Sequence, residues 1–69
     1  MEYELPAEGE VSLDVYDIAG RRVKIVENAR RPAGVYRRDW NPAGVPNGVY
    51  FYRLRFGGKS ITARAILLR

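Results

Sequence analysis

Six carboxylates crowd the first twenty residues, Glu2, Glu4, Glu8, Glu10, Asp14 and Asp17, with no Lys or Arg among them. Side chains of this type, spaced two apart as in Glu2 with Glu4 and Glu8 with Glu10, could in principle serve as a general acid and base. The rest of a catalytic set is missing. The 69-residue chain has no histidine and no cysteine, so it lacks the usual nitrogen and sulfur metal ligands and the commonest nucleophile and base. The acidic pairs lie in alternating or turn-like stretches, where carboxylates are ordinarily solvated. No catalytic, metal or cofactor-binding residue is therefore assigned, and the chain is not expected to be an enzyme.

The basic residues offer a second chemistry. Residues 21–69 carry all twelve Lys and Arg against Glu27 and Asp39, a local balance of +10 beside −6 for residues 1–20. Arg21-Arg22, Arg30-Arg31, Arg37-Arg38 and Arg53-x-Arg55 lie near Tyr36, Trp40 and Tyr52, which are ingredients of single-strand nucleic-acid binding. Those aromatics fall on expected core faces, however, and the N-terminal acids would repel phosphate. No nucleic-acid partner is expected. The polarity suits acidic and basic strands pairing across a sheet, or opposite ends of neighbouring copies attracting one another.

The elements that must position these groups read as strands. Glu2 to Leu5 alternates and stops at Pro6, with Tyr3 and Leu5 inward. Glu10 to Asp17 alternates strictly, placing Val11, Leu13 and Val15 in the core and Ser12, Asp14 and Tyr16 toward solvent. Asp17-Ile18-Ala19-Gly20 is a hairpin turn, and the returning strand runs from Arg22 to Glu27 with Val23 and Ile25 on one side. Residues 28–34 read as a loop closed by Pro32-Ala33-Gly34. Val35 to Trp40 is a further strand with Trp40 as a core anchor, and residues 41–47, with two prolines, form a crossing loop.

The stretch from Gly48 to Phe56 is the strongest strand signal. Tyr50, Tyr52, Leu54 and Phe56 share its core face, while Val49, Phe51, Arg53 and Arg55 share the other. After a turn at Gly57-Gly58-Lys59, a last strand over residues 60–69 opposes Ile61, Ala63, Ala65 and Leu67 to Thr62, Arg64, Ile66 and Leu68. Six short strands with evenly spaced turn signals predict one all-β domain, an antiparallel β-sandwich. A domain this small buries little more apolar area than chain entropy demands, and without cysteine it has no disulfide staple. A larger parent protein, an oligomer or unusually tight packing must supply the remainder. The acidic start lacks the basic and apolar regions of a secretory signal, and no segment approaches the roughly 20 apolar residues of a membrane-spanning helix.

Five segments, in order, carry a resemblance: Tyr3-x-Leu5-Pro6; Val11-Ser12-Leu13-x-Val15-Tyr16-Asp17-x-x-Gly20-Arg21-Arg22-Val23; Pro32-Ala33-Gly34; Gly48-Val49-Tyr50-Phe51-Tyr52-Arg53-Leu54; and Leu67-Leu68-Arg69. Together they resemble the type IX secretion C-terminal sorting domain (type A) of Bacteroidetes-like bacteria, which is similar to the immunoglobulin-like module of flagellar hook-capping proteins. The resemblance implies an immunoglobulin-like sandwich of about six to seven strands over residues 1–69. It also implies a non-catalytic address read by an outer-membrane translocon, with an extracellular or cell-surface destination. It points to Gly48, Tyr50, Leu67, Leu68 and Arg69 as sorting residues, with Arg53 and Arg55 on the face a partner would meet. Gly20, Gly34, Trp40, Tyr52 and Leu54 serve turns and core. Gly20, Gly34 and Gly48 also have a purely conformational explanation in turn geometry. The family usually has an Asn-Pro segment before its Tyr-x-Leu-Pro strand, and this chain starts almost at that strand. An open sheet edge is then expected, which a neighbour's strand could fill, and self-assembly into an oligomer or filament is the alternative function.

Overall fold

The computed structural model describes residues 2–40 and 44–68. They form six strands and no helix: β1 (Glu2–Leu5), β2 (Gly9–Tyr16), β3 (Arg22–Arg31), β4 (Gly34–Arg37), β5 (Gly48–Phe56) and β6 (Lys59–Leu67). β1 and β4 pair antiparallel as one sheet, and the other four strands form an antiparallel sheet in the order β3-β2-β5-β6. The two sheets pack together as a small β-sandwich.

Alternation dictates the core. Val11, Leu13 and Val15 of β2 are at most 1% exposed, and Tyr3 and Leu5 of β1 with Leu54 of β5 form one cluster with Val11 and Leu13. Burying a side chain such as Leu13 contributes roughly 1.5–3 kcal/mol. Tyr52 and Phe56 pack around this cluster from β5, Tyr36 from β4 and Val26 from β3. Gly9 opens β2 without a side chain because the Phe56 ring occupies that space: a Cβ there would lie 2.7 Å from Phe56 Cε1.

β3 is longer than its sequence pattern indicates, so the expected 28–34 loop shrinks to Pro32 and Ala33. Asn28 pairs with Ser12, Ala29 with Val11, Arg30 with Glu10 and Arg31 with Gly9. Two arginines conceal this extension, one reaching Glu8 at 3.0 Å on the surface and the other reaching Glu27. A bulge also breaks the expected division of faces. Leu13 pairs with Glu27 but Asp14 with Ile25, so Val26 is the extra residue; Glu27 turns inward, and Ile25 is 46% exposed.

Three further differences follow from side-chain partners. Asp14, expected in solvent, is 1% exposed because Arg55 Nη2 donates to it at 3.1 Å, with Ser12 and Tyr16 hydroxyls at 3.4 and 3.5 Å. β4 ends at Arg37 and not at Trp40, since Trp40 leaves the sheet and meets Tyr50 and Tyr52 edge-on at ring separations of 5.1 and 6.4 Å. It anchors β5 from a loop. The tight turn after β5 is Gly57-Gly58 alone, both at positive φ, with Phe56 and Lys59 already paired. The expected crossing loop begins with residues 41–43, which lie outside the described residues, and 44–47 are non-strand as expected.

The Asp17 turn forms as read from the sequence. Gly20, at φ +85°, donates its amide to the Asp17 carbonyl at 3.0 Å. The Asp17 carboxylate accepts the Ala19 and Arg21 amides at 3.0 and 2.9 Å and Arg21 Nε at 3.0 Å. The Arg21 amide above all holds that carboxyl below its usual range.

Candidate interaction surface on the β5–β6 hairpin

The residues singled out for interaction are distributed over one hairpin by its register. Gly48 opposes Leu67, Tyr50 Ala65, Tyr52 Ala63 and Leu54 Ile61, so these pairs share the face turned toward the small sheet. Val49 with Ile66, Phe51 with Arg64, Arg53 with Thr62 and Arg55 with Ser60 share the outward face.

Tyr50 belongs to the scaffold. It is 4% exposed, and its hydroxyl donates to the Pro46 carbonyl at 2.5 Å, pinning the entry into β5. Tyr36 does the same to Pro32 at 2.5 Å at the entry into β4. The motif Pro-x-Gly-Val-Tyr thus occurs twice, at residues 32–36 and 46–50, and each copy makes the same tyrosine-to-carbonyl latch. Gly34 and Gly48 stand at the same place in the two copies, both at positive φ. The repeated motif is the sequence signal from which these latches could have been read.

Arg53 and Arg55 do lie on the outward face, but with different environments. Arg55 is tied to buried Asp14, whereas the Arg53 guanidinium stands over the Tyr16 ring at 5.9 Å. Leu67 is half-buried at the far end of the hairpin and Leu68 beyond it is 81% exposed. Arg69 lies outside the described residues. The expected sorting residues therefore fall at two ends of β5–β6 and do not converge on one point. Tyr52, also half-buried, has its hydroxyl pushed up in pKa by burial and secondarily by the Asp39 charge.

One charged cluster lay outside the sequence reading. Glu27 Oε1 accepts Arg31 Nη2 at 2.9 Å, and its Oε2 accepts Arg38 Nε at 2.5 Å. These two bonds hold its carboxyl below the usual range, and in return Glu27 raises Arg38. Because Arg38 follows β4 and Glu27 sits in β3, this pair fastens one sheet to the other. The Tyr3 hydroxyl beside it is buried without a hydrogen-bond partner, and burial foremost pushes its pKa up. The bulge that turns Glu27 inward is the missing signal; alternation alone cannot show it.

Among the described residues, no group of three or more His, Cys, Asp or Glu is arranged to hold a metal ion. No helix of the described residues is long and apolar enough to cross a membrane. The fold and its surface define a small two-sheet β-module whose last hairpin leaves Ile61 and Ile66 exposed, with Leu68 exposed just beyond it. A family model described as the secretion system C-terminal sorting domain matches residues 2–68, and the chain belongs to this family of type IX secretion sorting domains. No curated protein and no solved structure matches it.

Proposed function

We propose that the domain directs the protein carrying it to an outer-membrane translocon, and that it is read through the β5–β6 hairpin, for surface attachment after export. The observation supporting this reading is the family match over nearly the whole chain. The hairpin suits such a role because Leu68, just beyond β6, is 81% exposed, while the inner residues Tyr50 and Leu54 are buried and keep β5 rigid. A machine can then grip the end without unfolding the core. Its outward arginines Arg53 and Arg55 give a second point of contact.

The test is a reporter carrying an export signal, with residues 1–69 fused behind it, expressed in a host that has the secretion system. The intact fusion is expected in the medium or on the cell surface. Deleting residues 67–69 should leave the reporter in the periplasm, and Arg53→Glu should lower its export. Retention of the intact, folded fusion in the periplasm overturns the proposal.

A further inference from the structure

Two strands cover four, and the uncovered part is apolar. β4 lies toward β3, because Arg38 just beyond it bonds Glu27. The end of β1 lies toward β5, because Leu5 packs in the cluster with Leu54, and Pro6 lines an apolar cleft of ≈ 370 Å³ with Leu54, Phe56 and Ile61. The inner face of β6 therefore extends past the small sheet. Ile61 there is 60% exposed, Ala63 is exposed, and Ala65 and Leu67 are half-buried. Two strand edges border this ledge. Among the described residues, β1 has a partner only on its β4 side, and β6 has one only on its β5 side. Open edges of this kind invite another strand.

From this shape we infer that the occupant is a second copy of the same chain, related by a two-fold axis parallel to the strands. In that arrangement the β6 ledges of the two copies lie face to face, and each small sheet fills the step left by the other. The free edge of β1 then meets the free edge of the second copy's β6, giving two continuous sheets in the order β3-β2-β5-β6-β1-β4, with β1 and β4 from the other copy. One contact covers the apolar stripe and closes both open edges, and it is isologous, as a closed dimer requires. β1 ends beside the cleft where β6 begins, so the new pair is antiparallel.

Charge favours this occupant. The only charged side chains of β1 are Glu2 and Glu4, both exposed, and those of β6 are Lys59 and Arg64, both exposed. With Leu5 at the level of Ile61, Glu4 lies beside the second copy's Thr62 and Glu2 beside its Arg64, all on the outer face. Opposite charges at directly opposed positions favour this register, and like charges would resist it. The inference is independent of how the secretion machinery reads the domain.

Sedimentation equilibrium of the 69-residue chain from micromolar to millimolar concentration tests it. A monomer–dimer equilibrium is expected. Glu2→Arg should weaken it roughly tenfold, since each symmetric contact occurs twice, and adding Arg64→Glu should restore it. Ala63→Glu, at an exposed position, should leave the circular dichroism unchanged and abolish the dimer. Should that variant fail to fold, hydrogen exchange of the wild type decides: β1 and β6 amides must gain protection as concentration rises. A wild type that stays monomeric throughout overturns the inference, as does dimerisation indifferent to both charge reversals. A shift to higher oligomers would replace the closed pair by an open assembly and overturn it equally.

Discussion

Replacing Glu27 with glutamine tests what joins the two sheets. The carboxylate side chain is 9% exposed and accepts one bond from each of two arginines, whose own side chains are 38% and 30% exposed. Glutamine keeps the volume and one acceptor oxygen but removes the charge. It can no longer accept from both guanidinium groups, and it brings its own amide hydrogens toward one of them. A hydrogen bond to a charged group contributes about 1.5–3 kcal/mol when buried, and solvent at the arginines reduces that. A net loss of about 2 kcal/mol is expected. For a chain of this length, total stability is on the order of 3–10 kcal/mol, and each 1 kcal/mol moves the midpoint by about 4–8 °C. Glu27→Gln should therefore melt roughly 10 °C lower, followed through Trp40 fluorescence.

The same substitution carries a pH signature. Glu27 has a folded pKa below its ordinary value of 4.5. Its contribution is thus fully present above that value and is lost as pH falls through the depressed folded pKa. The wild type should lose stability steadily as pH drops below about 4.5, and Glu27→Gln should lose less over the same interval. A variant that melts with the wild type at pH 7, or that shows an unchanged acid slope, refutes the assignment of Glu27 as the clasp between sheets.

Other substitutions separate packing from polar contributions. Leu13→Ala removes a side chain that is 0% exposed and should cost about 2–5 kcal/mol, seen by circular dichroism as a much lower denaturant midpoint. Tyr3→Phe deletes a buried hydroxyl that has no partner, so denaturant titration should show equal or higher stability, by about 1 kcal/mol; a clear loss would reveal a bond unaccounted for. Tyr50→Phe removes the latch to Pro46 and should lower stability by about 1 kcal/mol, with unchanged far-ultraviolet circular dichroism. Gly9→Val must displace the Phe56 ring, and a melting point equal to the wild type would show that the ring is not held there.

The sequence is most legible where both faces of a strand have unlike surroundings. β2 carries apolar residues on one face and polar ones on the other, and β5 sets two arginines against its apolar core face; of their inward sets, Val11, Leu13, Val15, Tyr50 and Leu54 are buried and Tyr52 and Phe56 half-buried. The Asp17 turn is legible for a different reason: its geometry is determined within five residues by one carboxylate and one glycine. β3 defeats the same method because a bulge shifts its period midway, and because a buried glutamate with two arginine partners looks like any surface charge. Asp14 fails similarly, its burial depending on Arg55, 41 positions away.

For the hairpin, the alternation assigns sides correctly, but it says nothing of what covers them. Ile61 and Leu54 are paired neighbours on one face, yet Leu54 is 6% exposed and Ile61 60%. The difference arises from the width of the opposing sheet, which depends on how many strands the chain itself contributes. Side-chain period reports the direction of a residue relative to its strand; coverage is a property of the layer above. An apolar residue pointing inward on an uncovered edge strand is therefore the place where a sorting machine, or a second copy, has most to gain by binding, and it carries no signature in the local sequence that separates it from core.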